Sequence, residues 1–314
     1  MSLPDSAIHS LVEPNCGALL LGTGLSSVLF GVTLLQTYQY YDQYWDDPTY
    51  MKFFVAIIAI FDAADLILVF ATVWHYLISN YGNVSSIAII PVQLGWEVGM
   101  TISVAFLAHG FFAMRVWLTG GRRILIPFAI IVLSIGEFVI GTYYNAKAQE
   151  AGLASALPRL AWAAVATHAC NIAADFLITI TLCHYLHRSR SGFKRTDKLI
   201  NVLTIYIVNT GLLNTICAAA VITLVIVLNK TLWYAVPGFL VSKFYVNSVL
   251  ATLNAREKLR RMPGGSMPDS VQVELREVRV RGLQRDSNAI RKTHCLRDID
   301  QELLTDVKVH ENKL

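Results

Sequence analysis

The chain has 314 residues, 54% of them hydrophobic and 15% charged, with a net charge of +4 and a mean hydropathy of +0.49. Soluble domains carry about 25% charged residues, so this composition excludes an ordinary soluble domain and points to the membrane class. The small net charge, with no basic patch interleaved with aromatics outside the apolar runs, implies no nucleic-acid partner.

Residues 1–15 contain Asp5 and Glu13 and no lysine or arginine. They lack the basic region of a cleaved signal peptide and read as a short extracellular or lumenal N-terminus ahead of a retained signal-anchor helix. Seven runs then approach the roughly 20 apolar residues that a spanning helix needs: 16–40, 52–78, 86–117, 124–145, 158–187, 199–228 and 232–254. In the first run, "GALLLGTGLSS" sets Ala18, Gly22 and Ser26 at small-xxx-small spacing, which on a membrane helix predicts close helix packing rather than phosphate binding. The second run carries Asp62 and Asp65, whose i,i+3 spacing puts both on one helix face. The third run is too long for a straight span, so it tilts, bends near Pro91 or projects beyond the bilayer. It holds Glu97 and His109. Glu137 lies in the fourth run. His168, Asn171 and Asp175 share a face of the fifth, Asn209 lies in the sixth, and Lys243, Asn247 and Asn254 line one face of the seventh. After Arg256 the composition turns polar and mixed in charge, so residues 258–314 read as a disordered cytosolic tail. The predicted fold is therefore all-α: a polytopic seven-transmembrane-helix bundle over 16–257, followed by that tail.

Orientation follows the lysines and arginines of the short loops. With the N-terminus outside, the inner segments are the acidic "YDQYWDDPTY", "MRVWLTGGRR", "HRSRSGFKRTDK" and the flank "NAREKLRR"; "ISNYGNVSS" and the loops holding Lys147 and Lys230 are outside. The N-glycosylation sequons at Asn83 and Asn229 fall in loops that this topology places outside. Which membrane hosts the protein is open.

A charged side chain near mid-bilayer costs at least about 2.5–3.5 kcal/mol on insertion scales, so such residues face the bundle interior and pair there. Asp62, Asp65, Glu97, Glu137, His168, Asp175, Asn209, Lys243 and Asn247 form the candidate intramembrane polar cluster. Asp62, Asp65 and Asp175 are the candidate partners of Lys243, and the residues alone do not choose among them. The acids outnumber the one mid-run lysine. They serve either as neutral hydrogen-bonding groups between helices or as the walls of a polar cavity for a proton, a cation or a small cationic ligand.

No metal site and no cofactor is implied. There is no CxxC, GxSxG, HExxH or GxxxxGK[ST], and His184 and His187 abut "RSRSGFKR" as a basic collar. No two of the five cysteines share a predicted outer loop, so no disulfide framework is expected. The lysine of the seventh run is not flanked as in microbial rhodopsins, which carry an acid one turn earlier where this chain has Phe239; the analogy of helix count carries no site.

Asp175, "HRSRSGFKRTDKLI", "IVNTGLLNT" and "KFYVNSVLATLNAR", over about 167–256, together with "FDAADLIL" and "FFAMRVWLTGG" earlier, carry a resemblance. The chain resembles a family of basidiomycete fungal multi-pass membrane proteins that share a C-terminal domain of unknown function, of the DUF6534 type. The resemblance covers most of 17–257. The family often has a histidine near the position of Asp65 and a threonine or serine at that of Asn214, so chemistry resting on that histidine would be altered in this chain. The resemblance implies a membrane protein and no activity.

Three functions fit these features. The first is a receptor-like sensor with a polar, acid-rich interior, from the helix number, basic inner loops and tail, whose cytosolic partner is unknown. The second is a proton- or cation-coupled transporter or channel. The third is an intramembrane lipid hydrolase, for which no nucleophile or metal set is present, so no enzyme is expected.

Overall fold

The computed structural model describes residues 13–81, 83, 86, 88–121, 123–153, 157–188, 194–228 and 231–260, with backbone alone for 194–203, 205–207, 209–210 and 256–260. The tail from 261 onwards, and with it the expectation of disorder, lies outside the described residues.

Seven helices account for nearly all of it: α1 Glu13–Gln43, α2 Thr49–Trp74, α3 Val92–Thr119, α4 Leu125–Ala151, α5 Leu157–Arg188, α6 Lys194–Val227 and α7 Ala235–Arg260. Among the described residues there is no strand, only a single antiparallel bridge between Ile89 and Leu153. The α1, α2, α3, α4, α5 and α7 helices are long and apolar enough to cross a membrane. The shortest helices, of 26 residues, measure about 39 Å, more than the roughly 30 Å of hydrocarbon they must cross.

The bundle is apolar outside and polar within. On α4, Phe128, Val132, Ile135 and Val139 form an exposed stripe, while Ile130, Ser134, Glu137 and Gly141 form the buried one. A soluble helix shows the reverse, and exposed large apolar side chains recur along α1, α2 and α5 as well. Such a surface suits lipid. The chain is a multi-pass membrane protein.

From α1 to α6 the helices adjacent in sequence pack on one another, and α3 also packs on α5. The antiparallel register of α3 and α4 is set by three contacts. Asn145 Nδ2 donates to Gly95 O at 2.8 Å, Gly141 lies against Ile102, and the Phe106 and Phe138 rings are 5.3 Å apart. The loops α2–α3, α4–α5 and α6–α7 therefore share one end of the bundle; α1–α2, α3–α4 and α5–α6 share the other.

The long third run resolves at Pro91. Its extended backbone (φ −73°, ψ 149°) caps α3, which starts at Val92 rather than at 86. Proline suits a helix start because it has no amide hydrogen to satisfy. Glu97 consequently sits in the second turn of its helix and not near the middle of a longer one. Gly152, in the left-handed conformation at φ 65°, ends α4 and returns its amide to Ala148 O at 3.1 Å.

The α7 helix is the central one. Within its spanning window 61% of it is buried, against 22–44% in the other spans. It runs parallel to α1, to which Asn247 Nδ2 and Asn254 Nδ2 donate at the carbonyls of Leu29 (3.2 Å) and Gln36 (2.8 Å). Gly22 permits this approach. A Cβ there would lie 3.0 Å from the Phe239 ring and 3.3 Å from Val236 Cα, and Ala18 and Ser26 on the same face are fully buried.

Candidate functional site

The interior polar residues gather into two networks at different depths, and α7 takes part in both. The first centres on Lys243, whose ammonium is fully buried. It donates to Asp62 O at 2.7 Å and Asp62 Oδ1 at 2.8 Å, and it forms an ion pair with Asp65 Oδ2 at 3.0 Å. Of the two acids, Asp65 has the more hydrogen bonds from hydroxyl groups, because Ser242 Oγ donates to its Oδ2 at 2.8 Å and Thr101 Oγ1 to its Oδ1 at 3.0 Å. Asp62 Oδ2 has no hydrogen-bond partner. Thr101 also lies 3.3 Å from Glu97 Oε1, which joins Glu97 on α3 to the pair. The ammonium further lies 5.6 Å from the centre of the Phe30 ring, within cation–π range. A buried charge survives only when paired and hydrogen-bonded, and this arrangement meets that condition for Lys243.

The second network centres on His109 of α3. Its Nδ1 lies 3.3 Å from Glu137 Oε2 on α4, and its Nε2 lies 3.3 Å from Asp175 Oδ1 on α5. Tyr245 of α7 donates its hydroxyl proton to Asp175 Oδ2 at 2.8 Å, and its oxygen accepts from Asn171 Nδ2 at 2.9 Å. Because the one phenolic proton goes to Asp175, the 3.1 Å contact of Nε2 with the Tyr245 oxygen requires the proton on Nε2. Asn171 Nδ2 also donates to Glu137 Oε1 at 2.7 Å.

Between and above these networks lies a cavity of about 160 Å³. It begins at the α2–α3 loop end, among Leu94, Gln149, Leu157 and Tyr234, and reaches Ala105, Glu137, Asn171 and Val241. On α3 that span, Leu94 to Ala105, is about 16 Å. Glu97, Glu137 and His168 all line it, so the chamber touches one acid of each network.

The expected residues are thus divided. Asp62, Asp65, Glu97 and Lys243 are brought together; Glu137 and Asp175 join His109; His168 lines the chamber without entering either network. Asn247 belongs to the α1 contact. The side chain of Asn209 lies outside the described residues, as does Asn229, while Asn83 is exposed in the α2–α3 loop. Of the three candidate partners of Lys243, the two on α2 are used and Asp175 is not. Sequence reasoning left out His109 as a hub, Thr101, Ser242 and Tyr245. The signal for Tyr245 was its place two residues after Lys243, on the far side of a helix that carries polar groups all round. Among the described residues no group of three or more His, Cys, Asp or Glu side chains is placed to hold a metal ion, and Cys16, Cys170, Cys183 and Cys217 are free.

Residues 171–258 match a family of unknown function, DUF6534. The match holds Asn171, Asp175, Lys243 and Tyr245, and so includes the α5 and α7 contributions to both networks. No curated protein and no solved structure matches the chain.

Proposed function

We propose that the chain is a receptor-like sensor with seven spans, α6 being the seventh, its N-terminus outside and its C-terminal tail cytosolic. The observation that carries the reading is the chamber. Glu97 and Glu137 both line it, and these belong to the two networks that α7 connects through Lys243 and Tyr245. Occupancy then changes the partners of a central helix that continues to the opposite end of the bundle. The basic loops at that opposite end support an inward orientation for it.

A second reading is proton- or cation-coupled transport. It is favoured by the buried carboxylates Asp62, Asp65, Glu97, Glu137 and Asp175, which among the described residues outnumber the buried bases Lys243 and His109. The full chain in liposomes, with a pH-sensitive dye inside and an imposed proton gradient and membrane potential, separates the two. The sensor reading expects flux equal to that of empty vesicles. Flux above that background, lost in Glu97→Gln, would overturn it in favour of transport.

A further inference from the structure

We propose that the chamber takes a small primary organic ammonium, its head at Glu137 and Asn171 and its apolar body above; this rests on the chamber being a ligand site. Asn171 is 2% exposed and lines the floor. Both contacts of its Nδ2 go to network partners, Glu137 Oε1 and the Tyr245 oxygen. Its Oδ1 has no partner. Glu137 Oε2 likewise has no hydrogen bond, only the 3.3 Å approach of His109 Nδ1. One acceptor is therefore left over on each of two hydrogen-bonded side chains that line the cavity, one of them on a carboxylate. A buried acceptor without a donor is costly, and the complement of two such acceptors is a group with several donors.

Charge and size narrow the class. A carboxylate or carbonyl ligand would bring acceptors to acceptors. A quaternary ammonium brings charge and no donor. A primary ammonium brings three donors and a positive charge, and among the described residues the buried carboxylates outnumber Lys243 and His109, which leaves the interior short of positive charge. Above the floor the walls are mainly apolar, with Val98, Ile102, Val221, Val225 and Phe239 beside Glu97 and Thr101. A cavity of about 150 Å³ admits benzene, so 160 Å³ limits the body to one ring or a short chain.

The test is calorimetry on the full chain in detergent at pH 8, with protein-free micelles subtracted. The probes are 2-phenylethylamine, its N,N,N-trimethyl analogue, 2-phenylethanol and phenylacetate. The expected order is the primary amine at least tenfold tighter than the alcohol or the quaternary analogue, and no binding of phenylacetate. Glu137→Gln and Asn171→Leu should each weaken the amine about tenfold or more and leave the alcohol unchanged. If either variant is not monodisperse, the four probes on the unaltered chain decide. Equal binding of amine and alcohol, both blocked by Val225→Trp, would keep the chamber and sink the ammonium. Absence of binding by every probe would sink both.

Discussion

Lys243 is held by two hydrogen bonds and by two carboxylates, and that sets what its removal does. In Lys243→Met the ammonium goes while Asp62 and Asp65 stay buried at 0% exposure. Breaking a buried pair from one side costs about 3–5 kcal/mol, whereas replacing all the charges by apolar or neutral groups is often close to neutral. The expected outcome is a large fall in the unfolding midpoint of Lys243→Met in detergent, most of it recovered when Asp62→Asn and Asp65→Asn are added. A single variant as stable as the unaltered chain would remove the ion pair from the account of stability. Tyr245→Phe strips a buried hydroxyl that serves Asp175 and Asn171 together, and should cost about 1–3 kcal/mol in the same measurement. At this scale the sequence was legible where the rule was strong. A lysine in an apolar run must find an acid, and two acids at i,i+3 spacing were available. His109 was harder to read, because a histidine states neither its tautomer nor its partners, and those partners came from three other helices.

Helix boundaries and faces show where local chemistry decides. Pro91 shortened α3 at its start, which a count of apolar residues could not see because "AII" before it is as apolar as the helix itself. The small residues of α1 were legible, since a stripe of Ala18, Gly22 and Ser26 has little use except close approach. Their partner was not legible, because spacing along one helix says nothing about which neighbour it meets. That partner is α7, and it supports a matched pair of substitutions. Gly22→Val adds atoms where a Cβ already lies 3.0 Å from Phe239, while Gly24→Val projects where nothing stands within 4 Å. Intrinsic helix propensity is the same for the two. Overpacking costs about 1–3 kcal/mol, so only Gly22→Val should lower the unfolding midpoint and weaken the α1–α7 contact. Equal effects would assign the change to the glycine backbone and not to packing.

For the whole molecule, composition alone was enough to predict a helical membrane protein, because no soluble fold leaves so little charge among so many apolar residues. The chamber was not legible, since a void is defined by what five helices leave unfilled. The proposed topology expects protease added to sealed, right-side-in vesicles to reach the tail only from the cytosolic face; cleavage from the lumenal face would reverse it. A chain ending at Arg261 should insert and stay monodisperse, because the residues removed lack the apolar set needed to offset their ordering entropy. Aggregation of that shortened chain would make the tail part of the fold. The central place of α7 also bears on how the protein is made. The α2 helix carries two acids and inserts early, helped by being the most apolar of the six spans. Its acids acquire their ammonium only when α7 leaves the ribosome, some 180 residues later. Until then each unpaired aspartate weighs about 2.5–3.5 kcal/mol against residence in lipid. The interior charge of the bundle is therefore complete only when the final span brings Lys243 to Asp62 and Asp65.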